Sequence, residues 1–441
     1  MFEKRANTAY CFYITKYIYY TIFIIYKILV RVRTVAYRID DYIKYIKGNV
    51  MKTMIYMDHA ATTQLHPKAL LEMLPYYEEK YGNPSSLYPL AKVNREAIER
   101  ARQLIAKTLH TTGEHIFFTS GGTESDNWAL NGLICPRRPC HIITSQIEHH
   151  AILHAAKNLE QKGYRVTYLP VDRYGMVEPR MVEANIRRDT GLISIHFANN
   201  EIGTIEDVGA IGEIAKKYRI AFHTDAVQAY GHVPIDVENM QIDLLSASSH
   251  KFNGPKGVGF LYIRNPKLLH SMIYGGPQEM GKRAGTENVP GIVGMASAAR
   301  LAHETMEERS AYECALRDYM IGRILSEIEY SVLNGHPTKR LSNNIHISFQ
   351  FIESSALLVM LAQQGICVSG GSACNSATGT SHVLSAIKVP QDYARGSIRI
   401  TIGAENTKQQ VDYVVDTLKN CVKLLRSSSP QYEDYISNRI S

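Results

Sequence analysis

The chain has 441 residues, 45% of them hydrophobic and 21% charged, a composition that excludes disordered, collagenous and membrane-embedded classes. Its net charge of +7 is local: residues 1–50 hold nine Lys/Arg against three Asp/Glu, and the remainder carries 40 basic against 39 acidic residues. No basic face is therefore expected on the body of the protein, and direct nucleic-acid binding is not expected either. Seven cysteines (11, 135, 140, 314, 367, 374 and 421) show no zinc-like paired spacing. Reduced thiols in a cytoplasmic enzyme are expected of a chain this long.

Residues 1–50 include the Tyr- and Ile-rich run "YCFYITKYIYYTIFIIYKILV", which Lys16 and Lys27 interrupt. The apolar stretch left between them is shorter than the roughly 20 residues that cross a bilayer, so no membrane span is expected. A signal peptide calls for an uninterrupted h-region and a small-residue cleavage site, and neither is clear here. Translation from Met51 is the simpler reading, with 1–50 an extension outside the functional protein.

From residue 115 onward, short apolar runs alternate with amphipathic segments. The strand candidates are 115–120, 141–145, 165–170, 192–198, 221–226 and 257–263, with helical patterns at 149–162 and 208–218 between them. Such alternation predicts an α/β fold with a mainly parallel sheet covered on both faces. In such sheets the ligand site forms at the carboxyl ends of the strands. After about residue 308 the pattern changes. A helix over 311–328, the apolar run "NIHISFQF", a helix near 354–364, a strand at 397–403 and a helix near 407–425 predict a smaller α+β domain. The expected division is a large domain over 67–308 and a small one over 309–441 that also takes in 51–66.

Chemistry-bearing residues sit where the predicted strands end. In "TSGGTESDNWAL" (119–130), Gly121 and Gly122 let backbone amides approach an anion at a helix start expected at Thr123 or Glu124, a phosphate cradle in form. Asp225, in "HTDAVQAYG", closes an apolar strand, and a buried acid there calls for a cation. Lys251 follows His250 in "SASSHKFNGPKG". Cradle, acid and lysine together suit pyridoxal phosphate, with the lysine as Schiff-base partner and the acid holding the pyridine nitrogen protonated.

The motifs "YMDHAATT", "GNPSS", "TSGGTESDN", "EHHA", "NNEIG", "HTDAVQ", "SSHKFNGPKGVG", "RAGTEN" and "SGGSAC" occur in this order between Tyr56 and Leu418. In this the chain resembles the NifS/IscS-like cysteine desulfurases of the class V aminotransferase superfamily. The resemblance implies a homodimeric fold-type I pyridoxal-phosphate enzyme with a seven-stranded sheet in its large domain. It assigns Lys251 the Schiff base, Asp225 the pyridine nitrogen, Gln228 the ring hydroxyl oxygen, and His149 ring stacking and proton shuttling. Gly122, Thr123, Ser248 and His250 would hold the phosphate, with Thr286 reaching in from the other subunit. Asn200 and Arg399 would bind the substrate carboxylate, for which arginine offers a planar fork. His59 and His223 read as supporting residues, and Cys367 as a core residue.

The implied reaction converts L-cysteine to L-alanine. Its sulfur is held as a persulfide on Cys374 and passed to an acceptor, either an iron–sulfur scaffold or a tRNA-thiolation enzyme. Small residues around Cys374, in "GGSACNSA", suit a sulfur carrier that must serve both a cofactor and a partner protein. They place the chain with the family's long-loop group. The stretch from Cys374 to Arg399 is a few residues short for that group, which points to a dedicated acceptor. No resident metal is expected, Cys374 serving at most as a passing iron–sulfur ligand. The alternative is another class V enzyme, a selenocysteine lyase or an aminotransferase.

Overall fold

The structure is a computed structural model that describes residues 54–133, 140–370 and 381–440. The chain divides into two units, Met1–Ile55 and Tyr56–Ser441. The expectation of a dispensable extension over 1–50 falls outside the described residues, as does Cys374. Among the described residues, no helix is long and apolar enough to cross a membrane.

Seven strands form the principal sheet: β1 (Ile116–Thr119), β2 (His141–Ser145), β3 (Arg165–Leu169), β4 (Thr190–Ser194), β5 (Ala221–Asp225), β6 (Leu244–Ser248) and β7 (Gly259–Ile263). Their order is β1-β7-β6-β5-β4-β2-β3. Only β7 runs antiparallel to its neighbours; the other pairings are parallel. Alternate residues of each strand enter different cores, which is why the strands read as continuous apolar runs. On one face Ile116, Phe118, Ile143 and Phe222 pack with Ile98 and Ile105 of α1 (Pro89–Thr108) and with Met295. On the other, Phe117, Ile142 and Leu244 meet Trp128 of α2 (Gly122–Gly132) and Ile152 of α3 (His150–Gln161). Each such side chain, fully withdrawn from water, contributes about 1.5–3 kcal/mol.

β6, "LLSAS", is absent from the sequence-derived strands because its last three positions are small. Its serines are buried nonetheless, Ser246 bonding His223 at 3.0 Å. The helix after the Gly-Gly turn begins at Gly122, slightly earlier than expected.

The C-terminal part builds a separate antiparallel sheet from β8 (Ser331–Leu333), β9 (Asn344–Phe349), β10 (Ser369–Gly370) and β11 (Ser397–Thr401), in the order β10-β11-β9-β8. In this register Ser369 lies opposite Arg399. α4 (His382–Ala386) starts directly after residues 371–380, with Ser381 as its cap accepting from the Val383 and Leu384 amides. Cys140 is disulfide-bonded, a departure from the expectation of reduced thiols throughout.

Candidate active site

The carboxyl ends of four strands converge. Past β1 comes the Gly121–Gly122 turn, past β2 His149, at the end of β5 Asp225, and past β6 Ser248 to Lys251. A cavity of about 300 Å³ opens there, lined by Lys251, Asp225, Gln228, His149, Asn200 and Arg399. Six of the residues singled out in the sequence therefore share one space.

Lys251 Nζ donates to the carbonyls of Ala60 (2.6 Å) and Ala61 (2.8 Å). Gln228 Nε2 also donates to Ala60 O, at 3.0 Å. Asp225 Oδ1 accepts from the Val227 amide at 2.9 Å. No described cation stands within ion-pairing distance of Asp225, so the cationic partner expected from the sequence is not among the described protein groups. Burial pushes its carboxyl pKa up, and nearby His149 offsets this in part. A positive group in the cavity would relieve that cost, which fits a protonated pyridine nitrogen. The Ala151 amide donates to His149 Nδ1 at 3.1 Å, capping α3. Nδ1 is thus an acceptor, and Nε2 is the ring atom left to carry a proton.

A second hollow of about 360 Å³ is lined by Gly121, Gly122, Thr123, Ser248 and His250. Val227 separates the two: it lines the first, and its Cγ2 lies 2.6 Å from where a Cβ on Gly122 would stand. Gly121 has φ +151° and needs its glycine. Gly122 and Thr123, at the start of the 11-residue α2, line this hollow, and a helix start is a natural seat for a phosphate. His250, whose Nδ1 is 3.2 Å from Thr62 Oγ1, has its pKa lowered to about 4 by burial and by Lys251 and Lys256. An anion in the hollow would raise it. The residues present thus fit pyridoxal phosphate at both its ring and its phosphate.

Thr286 is exposed and lines neither space. His223 is fully buried against Ser194 and Ser246, and His59 lies 3.4 Å from Glu405, away from the cavity. Both therefore stand outside the site. Cys367 is only half-buried, not core, and its thiol pKa is raised by burial and by Asp58.

Several cavity groups carry no role in the sequence reading. Burial would lower the pKa of His196, but Glu148 at 3.1 Å holds it up at about 9. Burial raises Glu201 to about 7 against the opposing pull of Ser381, which donates to it at 2.6 Å, and of Arg399. Arg399 Nη1 donates to Asn200 O at 2.8 Å, and Nη2 to Asp58 Oδ1 at 3.0 Å. Glu148 and Glu201 stand inside the motifs "EHHA" and "NNEIG". The usable signal was a carboxylate in an otherwise buried run.

Comparison with known proteins agrees with this geometry. The aminotransferase class-V family model matches residues 55–414. The chain is 52% identical over 379 residues to the cysteine desulfurase IscS of Methanosarcina thermophila, covering 85% of this chain and 94% of that protein. It is 49% identical over 394 residues to the Clostridium botulinum protein of the same name, covering 88% and 99%. A solved structure described as a NifS-like protein superposes with a TM-score of 0.80 at 38% identity, covering 84% of this chain and all of the other. On its fold, its cavity and these matches, the chain belongs to the class V aminotransferase family.

Proposed function

We infer that this protein is a pyridoxal-phosphate-dependent cysteine desulfurase, which converts L-cysteine to L-alanine and passes the sulfur to acceptor proteins. The observation that carries this reading is a single cavity shared by Lys251, Asp225, Gln228 and Arg399, on whose wall lies Gly370, four residues before Cys374. Four residues of chain reach at most about 14 Å.

When bound, pyridoxal phosphate supplies an electron sink that makes the substrate Cα proton acidic and loosens the bond to the substrate sulfur. Gly122, Thr123, Ser248 and His250 would hold its phosphate, Asp225 its ring nitrogen, Gln228 its ring hydroxyl and Lys251 its aldehyde carbon. Arg399 and Asn200 bind the substrate carboxylate. Lys251 Nζ and His149 Nε2 carry protons to and from the substrate. Cys374, as a thiolate, attacks the substrate sulfur. A new S–S bond forms while the substrate Cβ–S bond breaks, and that bond's electron pair remains on carbon. A proton then completes the methyl group of alanine, so no outside oxidant is needed.

The proposed organisation is a large domain over 67–308 and a small one over 309–441 with 51–66, assembled as a homodimer in the cytoplasm. Thr286, exposed and lining neither hollow of its own subunit, would serve the phosphate of the second subunit. Large exposed apolar side chains, Leu87 at 99% and Tyr274 at 83%, favour a covering partner. The proposed acceptor is an iron–sulfur scaffold or a tRNA-thiolation enzyme. The test is a Cys374→Ser holoenzyme supplied with L-cysteine and a thiol reductant. Alanine formation should vanish while the cofactor absorbance persists. Undiminished alanine formation would favour a lyase in which Cys374 is incidental.

A further inference from the structure

The segment after Tyr56 is stitched between two strands. The Met57 amide donates to Cys367 O at 2.9 Å, Thr401 N donates to Met57 O at 2.8 Å, and Ala60 N to Thr401 Oγ1 at 2.9 Å. Asp58 is thereby held beside the Arg399–Ser369 register pair, and its two oxygens are divided between them. Oδ1 accepts from Arg399 Nη2 at 3.0 Å, and Oδ2 from Ser369 Oγ at 2.9 Å. Arg399 and Ser369 line the cavity, whereas Asp58 stands behind them.

Asp58 touches only one nitrogen of the Nε–Nη2 edge that a carboxylate can grip with both oxygens; Arg399 Nε is buried with no hydrogen-bond partner among the described residues. An incoming carboxylate thus meets an arginine already in part neutralised. The same carboxylate fixes a serine one residue before Gly370, the last described residue ahead of Cys374. Two residues on from Asp58, Ala60 and then Ala61 present the carbonyls that take Lys251 Nζ.

We propose that Asp58 is a positioning residue for sulfur transfer, tempering the charge that the substrate carboxylate meets at Arg399 and fixing Ser369 on the strand that leads to Cys374. This rests on the roles proposed for Arg399 and Cys374. Asp58 restrains carboxylate affinity, and so eases release of alanine, while it holds the strand in register for the attack.

The test uses Asp58→Asn holoenzyme, with L-alanine binding followed through the cofactor absorbance and kcat for alanine formation from L-cysteine measured with excess thiol. L-Alanine should bind more tightly than to the unaltered enzyme, and unchanged binding would refute the tempering role. The kcat should fall about tenfold or more, as expected for losing a hydrogen bond to a charged group. Ser369→Ala should reproduce the fall in kcat with L-alanine binding unchanged, and Asp58→Glu should recover part of it. Weakened L-alanine binding in Asp58→Asn with normal kcat would make Asp58 a mere prop for the arginine and overturn the proposal. An unchanged kcat in both Asp58→Asn and Ser369→Ala would overturn it as well. Arg399→Lys separates the two levels: if it leaves L-alanine binding intact, the carboxylate role of Arg399 itself fails.

Discussion

Replacing Gly122 by alanine probes the phosphate cradle with one methyl group. The added Cβ would stand 2.6 Å from Val227 Cγ2 and 3.6 Å from Ser248 Cβ, whereas ordinary contact begins near 3.4 Å. The start of α2 and Val227 must therefore part by about 0.8 Å. Valine has little rotamer freedom with which to yield. Overpacking of this kind costs about 1–3 kcal/mol, against which the gain in helix propensity is at most about 1 kcal/mol. Because the strain is concentrated where helix amides would meet the phosphate, pyridoxal phosphate should bind more weakly, by up to roughly 100-fold. Titration of the apoprotein, followed by cofactor absorbance, measures this directly. Pyridoxal, which lacks the phosphate, should lose far less affinity, and Val227→Ala in the same chain should restore much of the binding. Equal losses for the two ligands, or no rescue by Val227→Ala, would rule out strain at the cradle as the cause.

Asp225→Asn separates stability from function. Burial raises the Asp225 carboxyl pKa, so its charge is a burden without the cofactor and an asset with it. The apoprotein variant should melt no lower than the unaltered apoprotein. Its holoenzyme should lose about 100-fold or more in alanine formation, as when one partner of a buried ion pair is removed. A large fall in apoprotein Tm would mean that the charge is already satisfied without the cofactor. A second expectation concerns acid. Burial lowers His223 to about 4, and burial with Arg399 and Arg340 lowers His346 to about 3. A group depressed in the folded state contributes stability above its unfolded pKa of about 6.5 that is lost as the pH falls through the folded value. Each should steepen the loss by up to about 1.4 kcal/mol per pH unit between roughly pH 6.5 and 4. Denaturant unfolding of His346→Asn across that range should be less steep, and an identical slope would exclude the histidine as a source.

Much of the large sheet was legible because both its faces are covered. Apolar runs such as "IFFT" and "HIITS" carry no competing polar pattern, and the ends of β2 and β5 agree with the sequence to within a residue. β6 escaped because its small residues interrupt the apolar run, and Ser246 is satisfied by residues distant in sequence, His223 among them. The helix Val289–Glu304 offers no amphipathic stripe, since it is buried at Val289, Gly291, Ile292, Gly294, Met295 and Ala296 alike. At the site, Lys251 and Asp225 stood out as charges beside apolar strands, and the resemblance supplied Asn200 and Arg399. Asp58 lies within the motif "YMDHAATT", yet its side-chain partners sit on strands more than 300 residues later. Composition and periodicity do not encode such pairings. Glu201 and Ser381, 180 residues apart, are a similar case.

Whether Cys374 carries sulfur is settled most directly by following the sulfur itself. The holoenzyme, treated once with isotopically labelled L-cysteine without reductant, alkylated and cleaved, can be mapped peptide by peptide. A persulfide on Cys374 requires one added labelled sulfur on the peptide containing that residue, released on reduction and matched mole for mole by alanine. Alanine formed with the label on another cysteine, or with none on the protein, would exclude Cys374 as the carrier.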